Sequence, residues 1–386
     1  MKKKLMLLLG IMLVLTVAGA ILIRIVAPNE EIEVIKEEDK LKVVTTFYPV
    51  YMIGLNIADQ AENIEVKSLT DLNTGCLHDY QLTTEDMKII SAADIMIING
   101  GGMEGFLEDI ATNYPNLTII NASEGLTMLH NASNGIGSDE IEANTADDAS
   151  KVTVDVTKEV SLTEPTVIEP TVIEPSVTGP SVTERSNEEA TIDNANVDKL
   201  DFEGLNPHVW LDPKLYIKQI ENVRDGILKY LEDTDKELPN ISEEIEKNAQ
   251  TYIQEVMRLD SDIDESIKSL SLTMEQLTEK QVVIFHDSFA YLANRVGMKV
   301  AFTVPLDSDT ALSAGDIAYI IRTVRKDNIK YLFTEQQYSD SIAKQIEAET
   351  VAKVFIIDSA VTGDGSKDSY LKAMRKNLNV LKEALN

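Results

Sequence analysis

The stretch from 241 to 272, ISEEIEKNAQTYIQEVMRLDSDIDESIKSLSL, decides the architecture. Its apolar residues Ile245, Ala249, Tyr252, Ile253, Val256, Leu259, Ile263, Ile267 and Leu270 recur at spacings of three and four. That period places them in one stripe along an α-helix. At ~1.5 Å per residue the helix reaches on the order of 40 Å, about a domain diameter. A helix of that length predicts a rigid connector between two lobes.

The sequence on either side of it alternates strand and helix. Ahead of it, over 41–240, β-branched apolar runs predict strands at 43–47, 64–69, 95–98 and 117–120. Thr84 can cap a helix through Met87, Ile90 and Ala93, and Asp212 followed by Pro213 starts another that reaches about Leu231. Behind it, over 273–386, strands are expected at 282–285, 300–304, 329–334 and 354–357. Helices are expected around 289–296, 317–324 and 342–348, with a last one at 369–385. Strands alternating with helices imply parallel sheets covered on both faces. The expected fold is therefore α/β, with two lobes joined by the helix over 241–272.

Two segments stand outside this rhythm. Residues 131–203 are low-complexity and contain the repeat TEPTVIEPTVIEPSVTGPSVTE at 163–184. Proline at that density blocks helices and sheet ladders, and excess acid opposes collapse, so a disordered insertion is expected. At the N-terminus, Lys2, Lys3 and Lys4 precede an apolar run from Leu5 to Ile23. Residues 1–28 read as an export signal or membrane anchor, followed by a linker over 29–40. Ala18-Gly19-Ala20 resembles a cleavage site. The run is nonetheless about the ~20 residues a bilayer span requires, and apolar sequence continues past it, which favours the anchor.

The chain has 386 residues and a formal net charge of −30. That balance excludes nucleic acid and anionic lipid as electrostatic partners and suits an exported protein that attracts cations. The single cysteine, Cys76, cannot form an internal disulfide.

There are four histidines. His78 lies in the loop after the second expected strand, His208 lies in NPHVWLDP between the insertion and a helix start, and His286 follows the strand QVVIF. Asp358 follows the strand VFII. Ligands of parallel sheets bind at the carboxyl ends of strands, and two of these four residues come from each lobe. Three imidazoles and a carboxylate suit zinc and would tolerate manganese or iron. The remaining histidine, His130, opens the insertion and is expected to be solvated.

The segments VVTTFYPVYMIGLNIADQ, HDYQLTTEDMKIISAADIMIINGGGMEGFL, NPHVWLDP, FHDSFAYLANRVGMKV and SYLKAMRKNLNVLKEAL resemble the zinc and manganese substrate-binding proteins of ABC importers. The resemblance runs from about Leu41 to the end, apart from the insertion. It implies two lobes joined by one long helix, a metal ion clamped between them, and ligands at His78, His208, His286 and Asp358. Histidine at the third position goes with zinc in that family, glutamate with manganese. It also implies a receptor, not an enzyme, on the extracytoplasmic face of a bacterial membrane. Such a receptor would work as a monomer that delivers its ion to a permease and ATPase. The lipid-bearing cysteine and the histidine-rich loop common in zinc members are absent. Asn206 stands where aspartate is frequent, with little effect expected.

With four ligands closing a tetrahedral shell, Cys76 is expected to be a spectator. Glu335 is expected in a structural ion pair, Asp79 and Asp287 at the surface, and Trp210 and Tyr80 packed at the ligand loops. A zinc hydrolase would need an open coordination position and a general base, and the sequence has no H-E-x-x-H motif. A surface adhesin with a structural metal is the other competing class.

Overall fold

The computed structural model describes residues 40–131, 191–192, 204–234, 236, 238–270, 274–304, 312–335 and 341–385. The expected signal or anchor, its linker and nearly all of the insertion lie outside the described residues.

The first sheet is built from β1 (Leu41–Thr45), β2 (Ile64–Ser68), β3 (Ile95–Ile98) and β4 (Thr118–Asn121), in the order β2-β1-β3-β4 and parallel throughout. Every residue of β3 is buried, as expected of a central strand covered on both faces. Against the outer edge of β4 lies β5 (Thr191–Ile192), antiparallel, with Ile119 opposite Ile192 and Ile120 opposite Thr191. These two residues belong to the segment expected to be wholly disordered. The open edge of β4 offers unpaired backbone groups, and a β-branched pair fits that ladder.

The second sheet contains β6 (Gln281–Ile284), β7 (Lys299–Thr303), β8 (Tyr331–Glu335) and β9 (Lys353–Ile357), in the order β7-β6-β8-β9 and all parallel. Period-two alternation divides its two faces. Val282, Ile284 and Phe333 join the main core shared with the first lobe. Val283, Phe285 and Leu332 join a smaller core. There they meet Ile320 and Val324 of α8 (Ala314–Lys326) and Ala343 and Ile346 of α9 (Ser341–Glu349).

The other helices are α1 (Tyr48–Ile57), α2 (Thr84–Ser91), α3 (Leu107–Asn113), α4 (Pro213–Asp233), α5 (Ile241–Ser269), α6 (Met274–Thr278), α7 (Phe289–Arg295) and α10 (Ser369–Leu385). The cap of α2 is Thr83, one residue before the expected Thr84. It forms a capping box in which the Asp86 N–H donates to the Thr83 hydroxyl and the Asp86 carboxylate accepts the Thr83 N–H. Helices α1 and α3 fill the stretches between strands where helices were expected without bounds, and α6 was not foreseen.

The long helix is α5, whose buried residues Ile245, Ala249, Tyr252, Ile253, Val256, Leu259 and Ile263 form the expected stripe. Near its start, the Asn248 amide donates to the carbonyls of Ile57 and Asp59 in the first lobe. Near its end, Arg295 of α7 pairs with Asp260 and Asp264. One element thus grips both lobes. The lobes also meet directly. The Trp210 indole N–H donates to the Ser359 carbonyl at 2.8 Å, the Tyr370 hydroxyl donates to the Trp210 carbonyl at 2.8 Å, and the Tyr216 and Tyr370 rings stack 3.9 Å apart.

Candidate metal site

His208 follows the neck of the insertion. The Asn131 N–H donates to the Gly204 carbonyl and the Asn206 N–H to the Leu129 carbonyl, so the two ends of the insertion are tied together. Three bonds then fix the loop that follows. The Asn99 amide donates to the Pro207 carbonyl at 2.9 Å, the Tyr291 hydroxyl donates to the Asn206 carbonyl at 2.6 Å, and the Asn206 amide donates to the Asp287 carbonyl at 2.9 Å. The last two come from α7 and the residue two positions ahead of it, so the His208 loop is held from both lobes.

The hydrogen bonds also select the tautomer of His208. The Asn206 Nδ2 is occupied as a donor, so its Oδ1 is the acceptor, and it takes the His208 backbone N–H. The same Oδ1 lies 2.8 Å from His208 Nδ1, which must therefore carry the proton. The lone pair of Nε2 is left facing the space between the lobes. Burial, reinforced by the neighbouring His286 and His78, holds the His208 pKa well below the usual imidazole value. A neutral ring is the form that binds metal.

His286 is oriented the same way from the second lobe. Its Nδ1 lies 2.9 Å from Glu335 Oε2 and 3.1 Å from Ser288 Oγ. A carboxylate can only accept, so Nδ1 donates and Nε2 points inward. Burial alone would lower the His286 pKa, but the Cys76 sulfur and the Glu335 carboxylate outweigh it and raise the pKa well above the usual value.

The three inward groups meet. The His208 and His286 rings are 4.8 Å apart at their centres, and His78 Nε2 lies 3.4 Å from His208 Nε2. Cys76 joins them, with Sγ 3.5 Å from His208 Nε2 and 3.6 Å from His286 Nε2. Among the described residues, Cys76, His208 and His286 are the group whose ligand atoms all lie within 4.8 Å of one another. His78 is exposed and reaches this group from the rim, through His208.

Asp358 is not brought into the cluster. Its Oδ1 accepts the Ala360 N–H at 3.0 Å and its Oδ2 lies 3.7 Å from Lys376 Nζ. Sequence reasoning set Cys76 aside, yet the chain folds it against both buried imidazoles. The spacing Cys76-Leu77-His78 was the available signal. The bonded partner of Glu335 is His286 itself, so the expected ion pair supports the site. Asp287 contributes its backbone carbonyl and Asp79 is exposed. Trp210 packs with its ring centre 5.1 Å from that of His208. Tyr80 donates to Asp86 at the start of α2, and exposed His130 bridges Leu205 in the neck.

Comparison with known proteins bears on the family and the fold. The family model described as "ZnuA: Zinc-uptake complex component A periplasmic" matches residues 43–384. The zinc-binding protein AdcA of Streptococcus pyogenes serotype M3 is 26% identical over 356 residues, covering 89% of this chain and 56% of that protein. The chain thus spans about half the length of the streptococcal relatives. The high-affinity zinc uptake system protein ZnuA of Bacillus subtilis is 24% identical, covering 90% of this chain and 88% of its own length. Among solved structures, the Zn(II)-bound ZnuA-like domain of Streptococcus pneumoniae AdcA superposes with a TM-score of 0.58 at 22% identity, covering 89% of this chain and 98% of that one. That likeness shows the fold: two α/β lobes about a long helix. The chain belongs to the family of periplasmic zinc-uptake complex component A proteins, which work outside the cytoplasm.

Proposed function

We propose that this chain is the metal receptor of an ABC importer, capturing one zinc ion between its lobes and handing it to a permease driven by an ATPase. The observation that carries this reading is the convergence of the Nε2 atoms of His78, His208 and His286 from two lobes. The two buried rings have Nδ1 satisfied by Asn206 and Glu335. Donors oriented in that way suit capture of an ion. A nitrogen-rich set favours zinc over manganese, which prefers oxygen. The names of the zinc-binding relatives support the same cargo. Asp358, the carboxylate of the sequence-based set, could join only by leaving Ala360 and Lys376.

The two lobes, 41–240 and 273–386, act as jaws on the helix over 241–272, and residues 1–28 tether the receptor to the outer face of the membrane. No helix among the described residues is long and apolar enough to cross a membrane. Zinc titration by calorimetry, in competition with a chelator, tests the reading. One ion should bind per chain, and His208→Ala should lose binding by orders of magnitude while keeping its fold. Equal affinity in that variant contradicts the assignment.

A further inference from the structure

We propose that Cys76 is a zinc ligand, so that this chain offers three imidazole nitrogens and one thiolate, with Asp358 outside the shell. The proposal deepens the receptor reading and rests on it. Its basis is metric. Zinc bonds of ~2.0–2.1 Å to nitrogen and ~2.3 Å to sulfur, at the tetrahedral angle, give edges of about 3.4 Å between nitrogens and about 3.6 Å between sulfur and nitrogen. The observed edges are 3.4 Å from His78 to His208, 3.5 Å from Cys76 to His208 and 3.6 Å from Cys76 to His286. Three separations, fixed by residues from both lobes, match the coordination polyhedron of one ion.

The local chain explains how Cys76 arrives there. Leu77 is fully buried and pins the loop. The residues flanking it, Cys76 and His78, lie on one side, with His78 entering the turn that the Tyr80 N–H closes on the Leu77 carbonyl. Both therefore meet His208 Nε2. Gly75 immediately before them has φ +85°, a turn that only glycine adopts freely, and it brings the thiol in against the buried rings.

Asp358, by contrast, is held elsewhere at both ends. Its N–H donates to Asn377 Oδ1 at 2.8 Å, its carbonyl accepts from Asn377 Nδ2 at 2.7 Å, and its carboxylate faces Ala360 and Lys376. Recruiting its carboxylate would draw it from Ala360 and Lys376, whereas Cys76 is already in place.

A thiolate changes what the receptor selects. Sulfur is a soft ligand that favours zinc strongly over manganese, the hard-ligand competitor. On binding, the Cys76 S–H gives its proton to solvent and its sulfur lone pair to the ion; no electron is transferred.

Cobalt(II) loaded into the full chain tests this, because a cobalt–thiolate bond absorbs strongly in the near ultraviolet and a cobalt–imidazole bond does not. Wild type should show that charge-transfer band together with the visible bands of tetrahedral cobalt. Cys76→Ser should lose the band and on the order of a hundredfold or more in zinc affinity, above the ~10–100-fold loss typical when only a supporting residue is changed. Asp358→Asn should keep the band and bind zinc within about twofold of wild type. A fully cobalt-loaded wild type without the band overturns the proposal and leaves the receptor reading standing, and it needs no variant to fold. Failure of wild type to take up cobalt or zinc overturns both.

Discussion

His286 Nδ1 lies 2.9 Å from Glu335 Oε2, and both side chains are buried. Register sets the pair: β6 and β8 are adjacent, Ile284 stands opposite Phe333, and two residues further on His286 meets Glu335. The second oxygen, Glu335 Oε1, is buried without a hydrogen-bond partner among the described residues. Its remaining contact is therefore concentrated on the ring that faces the site. Glu335→Gln keeps the shape and removes the charge. Zinc affinity should fall by roughly 10–100-fold, as for other groups that orient a ligand. An unchanged dissociation constant in competition titration would show that the pair serves only the fold.

Asn206 does the equivalent work for His208 and also ties that loop to Asp287 of the second lobe. Asn206→Ala removes the tautomer lock and the tie together. We expect a loss of affinity of roughly 10–100-fold. Asn206→Asp, which keeps the acceptor, loses the donor and adds a negative charge beside His208, should recover most of it. If the aspartate variant is as poor as the alanine one, the tie to Asp287 is the dominant contribution.

Protons compete with zinc, and the two buried histidines differ in how strongly. His208, with its lowered pKa, is already neutral at neutral pH. His286, raised by Cys76 and Glu335 against the effect of burial, keeps its proton above the ordinary imidazole range in the metal-free protein. Binding must displace that proton, so affinity should fall as pH is lowered and rise until the metal-free His286 has titrated. Near neutral pH about two protons should be released per zinc, one from His286 and one from the Cys76 thiol, seen by calorimetry in buffers of different ionisation enthalpy. A proton count of zero would rule out imidazole–thiol ligation.

The connector can be tested apart from the site. Arg295 is nearly buried and pairs with Asp260 and Asp264 near the end of α5. Arg295→Met removes the cation shared by Asp260, Asp264 and, at 4.0 Å, Asp212, and leaves Lys214 at 4.0 Å as the other cation beside Asp260. Because Asp264 is partly exposed, the expected loss is roughly 2–3 kcal/mol, below that of a fully buried pair. Urea unfolding of the metal-free protein measures it. A change under half a kcal/mol would mean that these ion pairs do not hold the lobe to α5.

The insertion should be dispensable for equilibrium binding. Its ends are already joined by the hydrogen bonds of Asn131 with Gly204 and of Leu129 with Asn206. A short glycine-serine turn can therefore replace residues 132–203 without moving His208. Zinc stoichiometry and affinity at physiological salt should hold, with only the rate of capture at low salt reduced. A large loss of affinity with the fold intact would assign the insertion a part in the site.

The fold was legible where periodicity is strong. The stripe of α5, the apolar runs of both sheets and α10 at 369–385 all follow from residue spacing. The three histidines were singled out by the resemblance of the motifs HDYQLT and NPHVWLDP to the importer receptors, with strand ends only suggestive: His286 alone closely follows a strand. What the sequence hid depends on neighbours across the sheet or on side-chain direction. Glu335 reaches His286 only because β8 lies beside β6, an order set by crossovers that spacing does not encode. Cys76 enters the cluster, and Asp358 stays with Ala360 and Lys376, through loop conformations that no pattern of apolar residues specifies. The bounds of α1 and α3 were not legible because neither has a side-chain N-cap bond to mark its start.

One zinc ion is expected between the lobes, on the Nε2 atoms of the converging histidines. Anomalous diffraction at the zinc edge, from crystals grown with one equivalent of zinc, tests it most directly. The account predicts a single strong peak, with Nε2 of His208 and of His286 each about 2.0–2.1 Å away. A peak at His130 or among surface carboxylates, with the space between His208 and His286 empty, would contradict it.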